Sequence, residues 1–148
     1  MIRRGVYKGP LVMNWVAIGG GMDQPNIYNL ANFLRAIPDG SMLTVESSMR
    51  NVLPINMIGI ALGLHVRCGI EDNLWRQNRE AKMTTVEQIE QLVRISEEVS
   101  RPIATGKEAR GILRIGEFYD TIDETLARNG YTPNRKPRQP QLELVRQG

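Results

Sequence analysis

Three short apolar segments alternate with two segments of helical periodicity in the first half of this chain. The apolar segments cover residues 11–18, 41–46 and 64–68, and the helical segments begin near Pro25 and Pro54. Glycine or polar residues follow each apolar segment, as expected where a buried strand ends in a loop. Because strands that alternate with helices form parallel sheets with helical crossovers, the sequence predicts an α/β fold.

Three later segments carry the sequence signature of a helix start. In each, a Thr precedes a Glu by three residues, which is typical of a capping box that satisfies the free N–H groups of the first turn. The pairs are Thr84 and Glu87, Thr105 and Glu108, and Thr121 and Glu124. We predict helices that start at these pairs and end near residues 100, 113 and 130. We expect residues 1–131 to form one domain and residues 132–148 to form an extended tail that wraps a partner subunit.

Composition limits the classes of protein to which the chain can belong. A hydrophobic content of 41% and a charged content of 24% are ordinary for a soluble globular domain. The net charge of +3 is mild, and basic residues form no stripe with interleaved aromatics, which argues against nucleic-acid binding. No apolar run reaches the roughly 18 residues of a membrane helix. Cys68 is the single cysteine, which excludes an internal disulfide and favours a cytoplasmic location.

Residues 65–73 contain the strongest functional signal. They read His-Val-Arg-Cys-Gly-Ile-Glu-Asp-Asn and place an imidazole, a guanidinium and two carboxylates at the end of a predicted strand. Charges are costly at such a position, and parallel α/β folds build their sites there. Adjacent side chains of an extended segment point in different directions, so Glu71 could bind a metal while Asp72 faces another part of a pocket. Alternatively, Asp72 or Asn73 caps a turn and Arg67 forms a structural ion pair.

The segment 63–74 resembles the signature Gly-Gly-His-Val-Arg-Val-Gly-Leu-Glu-Asp-Asn-Leu of the β-keto acid cleavage enzymes. These are zinc-dependent TIM barrels that act on a β-keto acid and acetyl-CoA. Residues 9–21, 36–40 and 101–110 resemble further segments of the carboxyl-terminal half of that barrel. A full (β/α)8 barrel needs about 250 residues. The resemblance therefore implies a partial barrel, made of the last three βα units with C-terminal helices and an extended tail.

The resemblance also implies a role for individual residues. Glu71 is expected to be a zinc ligand, Asp72 the acid/base residue, and Arg67 the group that stabilises developing negative charge. Arg50 is expected to contact the phosphates or carboxylate of a CoA substrate. In the family, a His-x-His pair completes the zinc site. His65 is the only histidine of this sequence and is left out of the predicted metal site.

The reaction that the resemblance implies converts a β-keto acid and acetyl-CoA into acetoacetate and a new acyl-CoA. Catalytic zinc usually has three protein ligands, so we expect the 148 residues alone to be inactive. The expected partners are a second copy of the chain or a complementing amino-terminal half. The alternative is a non-catalytic half-barrel that serves as an oligomerisation or interaction protein. Residues 47–49 read Ser-Ser-Met where the family has Gly-Ile-Gly, which favours this alternative.

Overall fold

The computed structural model describes residues 1–18 and 23–136. The glycine loop at 19–21 and residues 137–148 of the predicted tail lie outside the described residues. Within the described part, the protein is a mixed α/β structure with a three-stranded sheet and five α-helices. The α/β prediction is confirmed.

The strands form a parallel sheet in the order β1 (Val12–Ala17), β2 (Met42–Ser47), β3 (His65–Val66). The pairing of β1 with β2 runs along the full length of both strands, whereas β3 pairs with β2 only at its two residues. The helices are α1 (Ile27–Ala36), α2 (Val52–Ala61), α3 (Thr85–Glu98), α4 (Gly106–Ile112) and α5 (Ile122–Arg128). Short 3-10 turns cover Ile2–Arg4 and Met49–Asn51.

The two faces of the sheet differ in what covers them. Trp15 and Ala17 of β1 are buried on the face that packs against the helices. The hydrophobic core on this face consists of Trp15, Ala17, Leu30, Leu43, Val45 and Ile55. Because alternate strand residues point to opposite faces, Val12, Asn14 and Val16 point away from this core, and all three are exposed. One face of the sheet is thus packed, and the other is open along β1 among the described residues.

Helix α2 lies unusually close to the sheet at Gly59. A Cβ atom at this position would lie 2.4 Å from Val45 Cγ2 and 2.9 Å from Val66 Cγ1. Both distances are below van der Waals contact, so only glycine lets the helix approach the two strands this closely. The approach brings the carboxyl end of β3 and the loop after it into a fixed position.

Three element boundaries differ from the sequence-based expectation. Helix α1 begins at Ile27 rather than near Pro25, because the Asn26 side chain accepts a hydrogen bond from the Asn29 N–H at 2.9 Å and caps the helix. Helix α2 begins at Val52, so that Pro54 lies within the first turn, where a missing N–H costs no helical hydrogen bond. Strand β3 is shorter than the predicted segment 64–68 because β2 is its single partner in the described sheet.

The predicted capping boxes are confirmed for α3 and α4. In both helices the threonine side chain accepts from the N–H of the glutamate, and the glutamate side chain accepts from the N–H of the threonine. At α5 only half of the pattern forms. Thr121 accepts from the Glu124 N–H, but the Glu124 carboxylate accepts from the Asp120 N–H, one residue earlier than predicted.

The two ends of the described chain contact each other. Arg3 Nη1 donates to the carbonyl of Thr132 at 2.9 Å, and the Asn129 side chain donates to the carbonyl of Gly9 at 2.8 Å. The contacts place α5 and the start of the tail beside the amino end of β1.

None of the described helices combines the length and apolar character that a membrane crossing requires.

Candidate active site

Arg67 follows β3 and is held through its backbone on two sides. Its N–H donates to the carbonyl of Val45 at 3.1 Å, which extends the contact between β2 and β3 by one residue. Its carbonyl accepts from the side chain of Asn56, a buried residue of α2, at 2.9 Å. Sheet and helix together therefore fix the origin of the Arg67 side chain at the carboxyl edge of the strands.

Three carboxylates surround the Arg67 guanidinium. Arg67 Nε lies 2.8 Å from Glu46 Oε1, and Nη2 lies 2.5 Å from Glu71 Oε1 and 3.9 Å from Asp72 Oδ2. The exposed fraction of the side chain is 0% for Glu46, 16% for Asp72 and 73% for Glu71. Glu46 is thus the innermost member of the cluster and Glu71 the outermost. We call these four residues the Arg67 cluster.

The environment of Glu46 favours its protonated form more than that of an ordinary glutamate. Burial, and then the hydrogen bonding and charge of the nearby Asp72 carboxylate, raise the pKa of Glu46 to about 7. The charge of Arg67 and a hydrogen bond from Asn14 oppose this shift. The Asn14 contact is long, at 3.5 Å from Nδ2 to Glu46 Oε2. A carboxyl group that titrates near neutral pH is therefore built into the cluster.

The loop that carries Glu71 and Asp72 is fixed by hydrogen bonds to its backbone. The carbonyl of Asp72 accepts from the Met49 N–H at 2.7 Å, and the carbonyl of Asn73 accepts from the side chain of Gln88 at 2.7 Å. Asn73 Oδ1 accepts from the Trp75 N–H at 3.1 Å. The turn-capping role that the sequence left open between Asp72 and Asn73 therefore belongs to Asn73, and the Asp72 carboxylate is left to the cluster.

The carboxylates of the cluster form a group that could hold a metal ion. One oxygen each of Glu46, Glu71 and Asp72 lies within 4.8 Å of the others. His65 lies in β3 opposite Thr44 and is not a member of this group. Oxygen atoms of convergent carboxylates are common ligands of divalent cations.

Arg50 lies in the 3-10 turn after β2 and reaches the same region of the molecule. Together with Glu71 and Asp72 it lines a cavity of about 320 Å³, to which Arg76 and Arg79 also contribute. Arg76 is paired with Glu87 of α3 at 3.0 Å. The cavity therefore combines the acidic end of the cluster with several guanidinium groups.

Met49, the residue before Arg50, adopts a backbone conformation that glycine normally provides. Its φ of +55° lies in the left-handed region, which side chains with a Cβ rarely adopt. The resemblance gives glycine at this position, so the replacement by methionine affects the backbone of the turn. The turn forms with methionine in the left-handed conformation, at a cost in backbone strain of about 1–3 kcal/mol for such a residue.

Comparison with known proteins decides the family. A sequence model described as "beta-keto acid cleavage enzyme" matches residues 1–115. The chain belongs to the β-keto acid cleavage enzyme family. This membership confirms the resemblance that the segment 63–74 carries.

Two relatives, both named 3-keto-5-aminohexanoate cleavage enzyme, match most of the length of this chain. The protein from Acetoanaerobium sticklandii is 33% identical over 118 residues, which are 79% of this chain and 43% of the relative. The protein from Fusobacterium nucleatum is 31% identical over 113 residues, or 76% of this chain and 41% of the relative. A 3,5-dioxohexanoate:acetyl-CoA acetone transferase from Paraburkholderia graminis is 35% identical over 66 residues, which are 45% of this chain and 21% of the relative. The chain spans about two fifths of the length of the first two relatives.

Glu46 is the member of the cluster that sequence analysis missed. The sequence predicts Glu46 as the last residue of a strand and indicates no functional role for it. The signal was available, because a carboxylate at the carboxyl end of a buried strand is as costly as the charges at 65–73. The contact with Arg67 could not be predicted, since it depends on the register that places β3 beside β2.

Cys68 has the environment of an unreactive thiol. Burial first, and then the charges of Asp72 and Glu46, raise the pKa of Cys68 above its ordinary value. Thiolate is the nucleophilic form of cysteine, so a raised pKa lowers its reactivity at neutral pH. The environment therefore favours a packing role for this side chain.

Proposed function

We propose that this chain supplies the carboxyl-terminal part of a zinc-dependent β-keto acid cleavage enzyme. The reaction converts a β-keto acid and acetyl-CoA into acetoacetate and a new acyl-CoA. The observation that carries the proposal is the Arg67 cluster, which gathers a guanidinium and three carboxylates at the carboxyl edge of a parallel sheet. The names of the relatives, which include a keto acid cleavage enzyme and an acetyl-CoA acetone transferase, support it.

The open face of the sheet supports a barrel that is completed by further polypeptide. Parallel sheets are normally covered on both faces. Here Val12 and Val16 point to the open face with 50% and 38% of their surface exposed. In the proposed barrel this face points inward, and the amino-terminal half of the barrel covers it. Residues 1–131 then form the domain of this half, and residues 132–148 reach a partner subunit.

The carboxylates of the cluster suit part of a zinc site. Glu71 is the most exposed of them, so we propose that it supplies one ligand. With all groups ionised, three carboxylates outweigh one guanidinium, and the cluster carries the negative charge that a cation site needs. Catalytic zinc usually has three protein ligands, and the resemblance assigns the others to a His-x-His pair, so we propose that they lie on polypeptide outside these 148 residues. When bound, the ion would polarise the keto carbonyl of the substrate.

The side chains of this chain then have distinct tasks. Asp72 accepts the acidic proton of the substrate as a general base. Arg67 stabilises the negative charge that develops on oxygen, since a guanidinium donates two parallel hydrogen bonds. Arg50, with Arg76 and Arg79 in the same cavity, attracts the phosphates of acetyl-CoA.

Reconstitution tests this function. The 148-residue chain and the segment of the Acetoanaerobium sticklandii relative that it does not match are produced separately and mixed. Bound zinc and the formation of acetoacetate from 3-keto-5-aminohexanoate and acetyl-CoA are then measured. We expect neither polypeptide to be active alone, the mixture to bind zinc and form product, and Asp72→Asn to abolish turnover. Asp123→Asn, an exposed change in α5, is the matched control and should have no effect.

Two results would decide against this function. Rapid turnover by the purified chain alone would contradict an incomplete site. A mixture that associates tightly but neither binds zinc nor forms acetoacetate would favour the non-catalytic interaction protein, whose support is the same open sheet face.

A further inference from the structure

Glu46 is a fully buried carboxylate that the packing of the sheet does not require. Leu43 and Val45 supply the contacts of β2 with the hydrophobic core, whereas Glu46 lies on the other face beside Asn14. Burying a carboxylate costs several kcal/mol unless a charged partner compensates. The partner here is Arg67, whose Nε lies 2.8 Å from Glu46 Oε1.

This contact is an ion pair and not an aligned hydrogen bond, because Glu46 Oε1 has no hydrogen-bond partner. It places a buried negative group beside the inner edge of the guanidinium. In the structure the Nη2 atom then lies 2.5 Å from Glu71 Oε1, at the exposed end of the cluster. The Arg67 side chain thus has a buried partner at Nε and an exposed partner at Nη2.

We propose that Glu46 is the positioning residue of Arg67. It holds Nε so that the terminal nitrogens face Glu71 and Asp72 and, through the proposed function, the substrate. The role toward substrate rests on that function, whereas the orienting contact does not.

The competing explanation is that Glu71 orients Arg67. Glu71 is 73% exposed, and an ion pair of this kind contributes only about 0–1 kcal/mol and is screened by salt. The buried contact with Glu46 is shielded from water on the carboxylate side. We therefore expect the order of the guanidinium to depend on Glu46 far more than on Glu71.

Nitrogen-15 NMR of the full chain separates these explanations. The NMR order parameter of the Arg67 Nε–H, whose signal is assigned by its loss in Arg67→Lys, should lie well above those of exposed arginines. Glu46→Met removes the ion-pair partner at nearly constant volume and should lower this order parameter to the range of exposed arginines. Glu46→Gln keeps a polar partner without charge and should retain part of the order, and it serves if the Met variant does not fold. Glu71→Gln is the matched control and should leave the order parameter nearly unchanged. All variants are measured at one pH, with the indole signal of Trp15 reporting the intact core.

Several outcomes would overturn the proposal. These are an Arg67 Nε–H in the unmodified chain that is as mobile as those of exposed arginines, an unchanged order parameter in both Glu46 variants, or a larger effect from Glu71→Gln than from Glu46→Met. In the reconstituted enzyme, Glu46→Gln should lower kcat at least tenfold with little change in KM, and an unchanged kcat would contradict a positioning role in catalysis. The NMR result does not depend on turnover, so a failure of the proposed function is distinguishable from a failure of this inference.

Discussion

The side chains of the Arg67 cluster differ in their exposure to water. Glu71 is solvated and gains little from its ion pair, whereas Glu46 is cut off from solvent and depends on Arg67 for compensation. The same guanidinium therefore has a structural task on its inner side and is available for chemistry on its outer side. This division argues against a purely structural ion pair, in which the partners would be similarly buried.

Removing Arg67 should destabilise the protein more than removing Glu71. Arg67→Met leaves the buried Glu46 without its charged partner, and because the pKa of Glu46 is already raised to about 7, this carboxyl becomes neutral and the loss is that of an unpaired buried polar group, about 1–3 kcal/mol. Glu71→Gln removes only an exposed partner, so the free energy of unfolding should change by less than about 1 kcal/mol. Urea denaturation of both variants measures the difference. Equal losses would show that Glu46 does not depend on Arg67.

At the level of secondary structure, local chemistry accounts for the elements whose boundaries were predicted correctly. The starts of α3 and α4 follow from a threonine and a glutamate three residues apart, and this spacing can be read directly from the sequence. The start of α1 lies later than the predicted position near Pro25 because the side chain of Asn26 caps the helix. The close approach of α2 at Gly59 could not be predicted, since it depends on Val45 and Val66, which are distant in sequence.

Gly59→Ala tests the packing of α2 on the sheet. Alanine normally favours a helix over glycine by up to about 1 kcal/mol, but here its Cβ would clash with Val45 and Val66. We expect a net loss of about 1–3 kcal/mol in the free energy of unfolding, as for other overpacked positions. Gly111→Ala in α4 is the matched control, because a Cβ there meets nothing within 4 Å, and it should stabilise the protein slightly. Chemical denaturation of both variants gives the comparison, and stabilisation by Gly59→Ala would refute the close packing.

The capping box of α3 should make stability depend on pH in the acidic range. Hydrogen bonds from the backbone N–H and side chain of Thr84 are the largest cause that lowers the pKa of Glu87 below its ordinary value of 4.5. A lowered pKa means that the ionised carboxylate stabilises the folded state above about pH 4.5, and that this contribution is lost as the pH falls through the lower, folded-state value. Glu87→Gln should therefore reduce thermal stability at pH 7, and the difference from the unmodified protein should shrink toward pH 3. Glu90→Gln, an exposed change in the same helix, is the control. A difference that persists unchanged at pH 3 would contradict the capping role.

On the scale of the whole molecule, the two faces of the described sheet differ in what covers them. Helices cover one face, and the other carries exposed valines together with the inner end of the Arg67 cluster. The sequence predicted the α/β class and the clustering of Arg67 with Glu71 and Asp72, because both follow from segments that are close in the chain. It did not predict the contribution of Glu46, which joins the cluster only through the pairing of β2 with β3. The His-x-His pair that the resemblance assigns to the metal site has no counterpart in this sequence, which contains a single histidine, His65.

Anomalous diffraction at the zinc absorption edge, from crystals of the chain reconstituted with the amino-terminal part of a relative, tests the central proposal most directly. We predict a zinc ion bound to Glu71, with the side chains of Asp72 and Arg67 facing the same pocket and the remaining ligands on the complementing polypeptide. Zinc bound elsewhere, or a complex in which the Arg67 cluster faces bulk solvent, would contradict the account.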